Sequence, residues 1–344
     1  MAKELEWRAE TFGAWPIDTI YLGGGTPSIL EINELNVLFD LIYSKFKVNP
    51  QAEVTLEANP DDLSQHYLKS LRQTPVNRLS IGIQSFSDAD LQFMNRAHHA
   101  KEARECIESA LKEGFDNLTV DLIYGSPTTD DPQWLTNLQT IFEYKIPHIS
   151  CYCLTVEPRT ALDHMVRKGK AAPVDEDQAA RQFELLMEAM ASQGYEHYEI
   201  SNFALPGHYS RHKTSYWLGE SYLGLGPAAH SFDGKRRWWN LANNALYIKA
   251  LEAEIHPAAL YEEEILTSAQ QYNEYVMTSL RTIWGCKLEQ IETIGAPFVS
   301  YFIDNATPFV KDGSLLQQGN SFFLTRSGRL IADHIAATLF YIQG

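Results

Sequence analysis

The segment Thr19-Ile-Tyr-Leu-Gly-Gly-Gly-Thr-Pro-Ser28 joins a short run of β-forming residues to three glycines and a proline. β-Branched and aromatic residues favour a strand, whereas glycines leave backbone N–H and C=O groups open to whatever approaches. Pro27 stiffens the exit of the loop. No Gly-Lys-Ser follows, so this is not a phosphate-binding loop. The segment predicts a strand that ends either in a tight strand-to-helix turn or in a ligand-binding loop.

The same unit repeats along the first 200 residues, with amphipathic helices between the strands. After the strand at 19–22, further strands are predicted at 53–57, 79–83, 118–123 and 148–154. A strand, a loop and a helix recur every 25 to 40 residues. This alternation predicts an α/β fold with a parallel barrel or half-barrel.

The pattern changes after about residue 207. Residues 208–240 are rich in glycine, histidine and aromatic residues and show no clear period, and 261–284 is predicted as a helix. A hairpin is predicted across Gly319-Asn320, followed by a last helix over 327–341. We therefore predict two domains, a partial barrel at 1–250 and a small helical, winged-helix-like module at 251–344.

Composition excludes several classes of protein. The chain has 344 residues and a net charge of -16, which disfavours nucleic-acid binding. No apolar run is long enough for a membrane span, and the N-terminus lacks the apolar core of a signal peptide. Four scattered cysteines fit a reducing cytosol. The basic and aromatic segment 235–239 is a candidate for peripheral membrane contact or for porphyrin carboxylates, and the alternative is a solvated hairpin.

Charged and amide side chains follow the predicted strands. Glu57, Gln84 with Arg96 beyond it, and Asp121 lie at the ends of the second, third and fourth strands. Each alone is more readily explained as a helix cap, a backbone partner, a salt bridge or a solvated helix charge. Because the carboxyl ends of parallel strands meet at one edge, together they predict a site for a ligand that carries an ammonium, a carboxylate and hydroxyls.

Several segments of the sequence resemble those of a known family. In order the sequence carries the segments GGGTPS (23–28), LEANP (56–60), GIQSF (82–86), NRAH (95–98) and DLIYG (121–125). These resemble the radical S-adenosylmethionine (SAM) proteins related to oxygen-independent coproporphyrinogen III dehydrogenase. The segments YEISNFA (198–204), SRHKTSYW (210–217) and YLGLGPAAHS (222–231) narrow the resemblance to the HemW-type heme chaperones.

The resemblance implies two sets of ligand-binding residues and no catalytic residue. Its SAM contacts fall on Gly24, Gly25, Thr26, Glu57, Gln84, Arg96, Asp121 and Thr155. Its heme-binding motif, H-N-x-x-Y-W, falls on His212, Tyr216 and Trp217, with His212 as the implied ligand of the heme iron. Lys213 stands where the motif has asparagine.

One feature of the family is missing from this sequence. The family opens with a barrel strand that ends in a C-x3-C-x2-C loop, whose thiolates hold a [4Fe–4S] cluster. Here that spacing is absent, and Cys151 and Cys153 are expected to be core thiols. The sequence therefore predicts a barrel without its first strand and without cluster ligands, either from a start at an internal Met or from a true truncation.

The expected function is that of a HemW-like protein that binds heme and delivers it to heme-acceptor proteins, with SAM and the cluster as further cofactors of the family. One alternative is an oxygen-independent coproporphyrinogen III oxidase, which uses SAM and the cluster. A second alternative is a cluster-free scaffold that binds only partner proteins.

Overall fold

The computed structural model describes residues 1–253 and 260–342 of the chain. These divide into two compact units that interleave along the sequence. The sheet unit comprises Asp18–Phe39 and Pro50–Ser210, and the terminal unit comprises Met1–Ile17, Asp40–Asn49 and Arg211–Gly344. The domain boundary near residue 250 stays a prediction.

A curled, half-barrel sheet of seven strands runs through the sheet unit. Its strands are β1 (Pro16–Leu22), β2 (Lys47–Ala58), β3 (Arg78–Gln84), β4 (Leu118–Tyr124), β5 (His148–Cys153), β6 (Glu196–Glu199) and β7 (Asn202–Ala204). The spatial order is β1-β2-β3-β4-β5-β7-β6. Strands β2 to β5 are parallel, and β7 is antiparallel to both β5 and β6. The predicted α/β half-barrel is confirmed.

Ten helices lie between Met1 and residue 253. They are α1 (Ala2–Phe12), α2 (Ile32–Lys45), α3 (Gln65–Leu71), α4 (Asp88–Phe93), α5 (Ala100–Lys112), α6 (Asp131–Glu143), α7 (Ala161–Arg167), α8 (Glu176–Ser192), α9 (Arg211–Trp217) and α10 (Asn244–Glu252). Side chains fix where the longer ones begin. Asp130 accepts a hydrogen bond from Gln133 N at 2.8 Å before α6, and Asp175 caps α8 in the same way.

The two faces of the central strands differ in chemistry. Alternate positions on one face are fully buried and apolar, among them Leu56, Ile81, Val120 and Ile149. The positions between them on the other face are polar, as period-two alternation requires. That polar face carries Thr55, Glu57, Arg78, Ser80, Thr119, Asp121, His148 and Ser150.

Hydrogen bonds connect the buried part of this polar face. Arg78 donates to Asn117 Oδ1 and Thr119 Oγ1, both at 2.6 Å, and its guanidinium lies 3.8 Å from Glu53. The His148 ring bridges Thr119 Oγ1 at 3.1 Å and Tyr198 Oη at 2.7 Å. Buried polar groups are tolerated only when they are paired in this way. The polar row continues into the side chains at the strand ends.

The terminal unit contains two small antiparallel sheets. The first has the order β10-β9-β8 and consists of β8 (His230–Phe232), β9 (Arg236–Asn240) and β10 (Tyr261–Ile265). Its core includes Leu5, Phe12, Phe46 and Trp238. The second has the order β11-β13-β12 and consists of β11 (Cys286–Lys287), β12 (Leu315–Gln318) and β13 (Ser321–Leu324). The predicted hairpin across Gly319-Asn320 is confirmed.

Five helices accompany the second small sheet: α11 (Ser268–Leu280), α12 (Leu288–Ile294), α13 (Ala296–Lys311), α14 (Arg326–Leu330) and α15 (Ala332–Leu339). Two helix predictions need correction. Residues 261–265 form β10 because they pair with β9, and this tertiary pairing overrides the helix propensity of three consecutive glutamates. The last helix is interrupted at Ile331, whose backbone is not helical.

Candidate functional site

The glycine loop follows β1 directly and presents its backbone outward. Gly24 and Gly25 have φ values of +76° and +106°, which favour glycine. A Cβ atom built on either would meet nothing within 4 Å. Thr26 then precedes a short 3-10 helix, Pro27–Ile29. The loop therefore has open space beside Gly24 and Gly25, where a ligand can approach the backbone.

Glu57 lies beside this loop, near the end of β2. Tyr21 Oη donates to Glu57 Oε1 at 2.5 Å, and Gly24 N donates to Glu57 Oε2 at 3.3 Å. The carboxylate is half-buried. Burial, the charge of Glu57 and the hydrogen bond to it all raise the pKa of Tyr21, so the phenol stays protonated.

Arg96 is held at the ends of β2 and β3. Its Nη2 donates to Asn59 Oδ1 at 2.8 Å and to Gly82 O at 3.3 Å. A Cβ atom on Gly82 would lie 2.9 Å from Gln84 Nε2 and 3.5 Å from Arg96 Nη2. The absence of a side chain at position 82 thus makes room for both the guanidinium and the amide.

Gln84 ends β3 in an unusual conformation. Its φ is +66°, and the pairing of β3 with β4 is irregular between Ile81 and Gln84. A left-handed conformation at a residue other than glycine, asparagine or aspartate is uncommon and concentrates at functional sites. The bend places the amide group beside Gly82.

Asp121 and Thr155 complete the predicted SAM contacts. Asp121 Oδ2 accepts from Ser80 Oγ at 3.5 Å, and Ser80 is the register partner of Glu57. Thr155 is exposed, two residues beyond the end of β5. The structure therefore places Glu57 and Gln84 near the carboxyl ends of β2 and β3, with Arg96 beside them. Asp121, expected at the end of its strand, is instead the middle residue of β4.

Sequence reasoning missed two polar residues of this site, Tyr21 and Asn59. Each contacts a predicted site residue directly, Tyr21 through Glu57 and Asn59 through Arg96. A signal was present for both, because Tyr21 lies inside the segment Thr19–Ser28 and Asn59 lies inside LEANP (56–60).

The cysteines do not fit an iron–sulfur cluster. Cys106, Cys151 and Cys286 are buried and Cys153 is half-buried. Burial raises the pKa of Cys106 and Cys286 to about 12 and raises that of the other two, whereas cluster ligands are thiolates. Among residues 1–253 and 260–342, no three His, Cys, Asp or Glu side chains are arranged to hold a metal ion.

The predicted heme residues lie on the short helix α9 in the terminal unit. His212 Nε2 is 3.0 Å from Tyr216 Oη, and the two rings meet edge to face. Tyr216 also contacts the Tyr222 ring edge to face at 4.6 Å. Burial, followed by the charge of Lys213, lowers the pKa of His212 to about 4. The imidazole is therefore neutral at pH 7.

Trp217 and the basic segment 235–239 contact other residues of the same unit. The Arg281 guanidinium lies 5.6 Å from the Trp217 ring centre. Arg236 pairs with Asp233 and Glu263, and Arg237 pairs with Glu274 at 2.8 Å. Trp238 is buried. Both arginines thus have acidic partners within the fold, and membrane contact by this segment stays a prediction.

Within the described residues, no helix is both long enough and apolar enough to cross a membrane.

Comparisons with known proteins agree with this fold. The model of the radical SAM superfamily matches residues 2–141, and that of the HemN C-terminal domain matches residues 266–331. The structure of coproporphyrinogen III oxidase (HemN) from Escherichia coli superposes with a TM-score of 0.84 at 22% identity, covering 98% of this chain and 81% of that one. The match of residues 2–141 to the radical SAM model gives the class of protein, and the half-barrel fold agrees with it.

Curated relatives identify the family more closely. The heme chaperone HemW of Mycobacterium tuberculosis is 33% identical over 98% of this chain and 84% of its own length. That of Bacillus subtilis is 32% identical over 93% of this chain and 84% of its own length. The chain belongs to the HemW family of heme chaperones.

Proposed function

We propose that this protein binds heme through the segment Arg211–Trp217, with His212 as the iron ligand, and delivers it to heme-acceptor proteins. Support comes from the relatives named as heme chaperones and from the chemistry of α9. The cytosol is the proposed location, because reduced thiols are stable there and all four cysteines are free.

The environment of His212 carries this proposal. Iron binds the neutral imidazole, and burial keeps the His212 ring neutral well below pH 7. Tyr216 is 41% exposed and Leu218, one residue beyond α9, is 53% exposed. A porphyrin placed over these side chains would remove their apolar surface from water, which contributes roughly 25 cal/mol per Å².

The contact between His212 and Tyr216 has a consequence for iron binding. Whichever group donates, Nε2 is engaged by the Tyr216 hydroxyl at 3.0 Å. Ligation of iron through Nε2 therefore requires this hydrogen bond to break. Tyr216 itself is a poor ligand, because burial raises its pKa to about 12 and iron would need the phenolate.

We also propose that the strand ends of the sheet unit bind SAM. The open loop at Gly24, Gly25 and Thr26 suits the methionine ammonium, and Arg96 suits its carboxylate. Glu57, Asp121, Gln84 and Thr155 supply acceptors for amines and ribose hydroxyls. SAM would bring a sulfonium-activated methionine to this edge of the sheet. No cluster chemistry is assigned, because the cysteines do not fit a cluster.

The heme proposal is tested by titrating hemin into wild type and variants. We expect His212→Ala to shift the Soret band and to weaken binding about tenfold, which corresponds to about 1.4 kcal/mol, because it removes the iron ligand but not the apolar contacts. Tyr216→Phe frees Nε2 and keeps the ring, so binding should be retained or strengthened. His208→Ala, at an exposed histidine, is the control and should behave as wild type.

Identical Soret spectra and affinities for wild type and His212→Ala would remove His212 from the heme site. A wild-type protein that binds no hemin would instead favour a scaffold that binds only proteins.

A further inference from the structure

We infer that Tyr21 is a positioning residue that orients the Glu57 carboxylate toward the ammonium group of an amino-acid ligand at the glycine loop. The inference rests on the proposed SAM site and deepens it. Tyr21 contacts no ligand in this scheme, because its hydroxyl is directed at Glu57. Its effect on binding passes through that carboxylate.

The geometry fixes Glu57 from two sides. Tyr21 Oη donates to Oε1 at 2.5 Å and Gly24 N donates to Oε2 at 3.3 Å. Each carboxylate oxygen has a second lone-pair direction for another donor. The acid is thus oriented by one side chain and one backbone group of the loop, with acceptor capacity left for a ligand. A flexible glutamate at a strand end would otherwise lose rotamer freedom on binding.

The first glycine of the loop has a different role from the next two. A Cβ atom on Gly23 would lie 2.6 Å from Tyr21 Cε1 and 3.0 Å from the Glu57 carboxylate, while Gly24 and Gly25 have open space. Gly23 is therefore required because the Tyr21–Glu57 pair packs directly against its backbone. A methyl group at this position would displace the pair without touching the open side of the loop.

Charge explains why the pairing is directional. Burial, followed by the nearby carboxylates of Glu57 and Asp121, raises the pKa of Tyr21. The phenol therefore remains a donor at any physiological pH, and Glu57 remains the acceptor. A carboxylate is one of the stronger hydrogen-bond partners for a cationic ammonium, and the phenolic hydrogen bond fixes the direction in which it is presented.

This arrangement separates two classes of ligand. SAM and S-adenosylhomocysteine carry the amino-acid ammonium, whereas methylthioadenosine keeps the adenosine with a methyl thioether and has no amino acid. Loss of the Tyr21 hydroxyl should weaken the binding of SAM and S-adenosylhomocysteine and leave the binding of methylthioadenosine unchanged. General damage to the fold would weaken all three, so the ligand series distinguishes positioning from a merely structural role.

The experiment measures the affinities of the full chain for SAM and methylthioadenosine by calorimetry. We expect Tyr21→Phe to weaken SAM binding about tenfold, which is the size of one hydrogen bond to a charged group. Its affinity for methylthioadenosine should stay within twofold of wild type. In the Glu57→Gln background the same change should have little further effect, because Tyr21 acts through Glu57. Tyr43→Phe, at a tyrosine that is 45% exposed, is the control.

Gly23→Ala provides a second variant that perturbs the same pair from the backbone side. It should reproduce the selective loss of SAM affinity. Wild-type affinity in Tyr21→Phe, or equal losses for both ligands, would overturn the inference while leaving the proposed SAM site standing. If wild type binds neither ligand, the proposed SAM site fails and the inference fails with it.

Discussion

At the scale of single residues, the strand-end site is built on exceptions to ordinary backbone preference. Gln84 adopts φ of +66° in a strand whose other residues are regular, and Gly82 makes room for its amide. A left-handed conformation costs about 1–2 kcal/mol for a residue with a Cβ. Sequence pattern singled out Gln84 as a site residue but gave no sign of its backbone, since glutamine has no preference for this region.

The strain at Gln84 leads to a prediction about stability. Gln84→Gly should be more stable than Gln84→Ala by about 1–2 kcal/mol in the free energy of unfolding, because only the alanine variant keeps a Cβ in the left-handed region. Both should lose SAM affinity. At Lys101, exposed in the helix α5, the order should reverse and glycine should be about 1 kcal/mol less stable than alanine. Urea unfolding of the four variants measures both differences, and the same order at both positions would contradict the strain.

At the scale of elements, the helix α1 is held by a buried polar cluster. Glu4 is fully buried and accepts from Gly226 N at 2.8 Å, Asn240 Nδ2 at 2.6 Å and Tyr247 Oη at 2.5 Å. Arg8, one turn later, lies 3.6 Å from the same carboxylate. The helix pattern alone identifies neither residue as buried, because charged side chains on a helix are usually solvated.

Replacement of Glu4 should therefore destabilise the terminal unit. In Glu4→Gln one acceptor oxygen becomes an NH2 donor, which then faces the donor groups around it. The substitution also leaves the Arg8 charge without its carboxylate partner. We expect the free energy of unfolding to fall by about 3 kcal/mol or more. Glu6→Gln, exposed on the same helix, should stay within about 0.5 kcal/mol of wild type in urea titrations. Equal losses of stability in Glu4→Gln and Glu6→Gln would show that the buried contacts of Glu4 do not contribute to the free energy of unfolding.

At the scale of the whole molecule, stability depends on histidines that fold in the neutral form. Burial lowers the pKa of His98, whose Nε2 donates to Ile83 O at 3.1 Å, and burial with Lys213 lowers that of His212 to about 4. In the unfolded chain both titrate near pH 6.5. Below that pH the unfolded state binds protons that the native state does not. The free energy of unfolding therefore decreases as the pH is lowered.

We therefore expect the urea midpoint to decrease from pH 7.5 to pH 5. Each such histidine contributes at most about 1.4 kcal/mol per pH unit. His212→Gln removes one of these groups and should flatten the dependence. A wild-type midpoint that is constant or rises toward pH 5 would contradict this account.

The sequence by itself determined strands β1 to β5 of the half-barrel, the C-terminal hairpin and the residues expected at the strand ends, but it did not predict β6 and β7. Period-two alternation and turn residues are local properties, and parallel strands bring their carboxyl ends together whatever their loops. Family motifs added the expected roles of Glu57, Arg96 and His212.

Only the tertiary structure decided which side chains of the strand-end site form hydrogen bonds with each other. Tyr21 on Glu57 and Asn59 on Arg96 are pairs that join residues 36 and 37 positions apart in the sequence. The His212–Tyr216 pair, by contrast, follows from the i, i+4 spacing along one helix. The strand at Tyr261–Ile265 was decided by the tertiary structure, through its pairing with β9. Long-range contacts of this kind override local propensity because burial and pairing contribute more free energy than the few tenths of a kcal/mol per residue by which propensities differ.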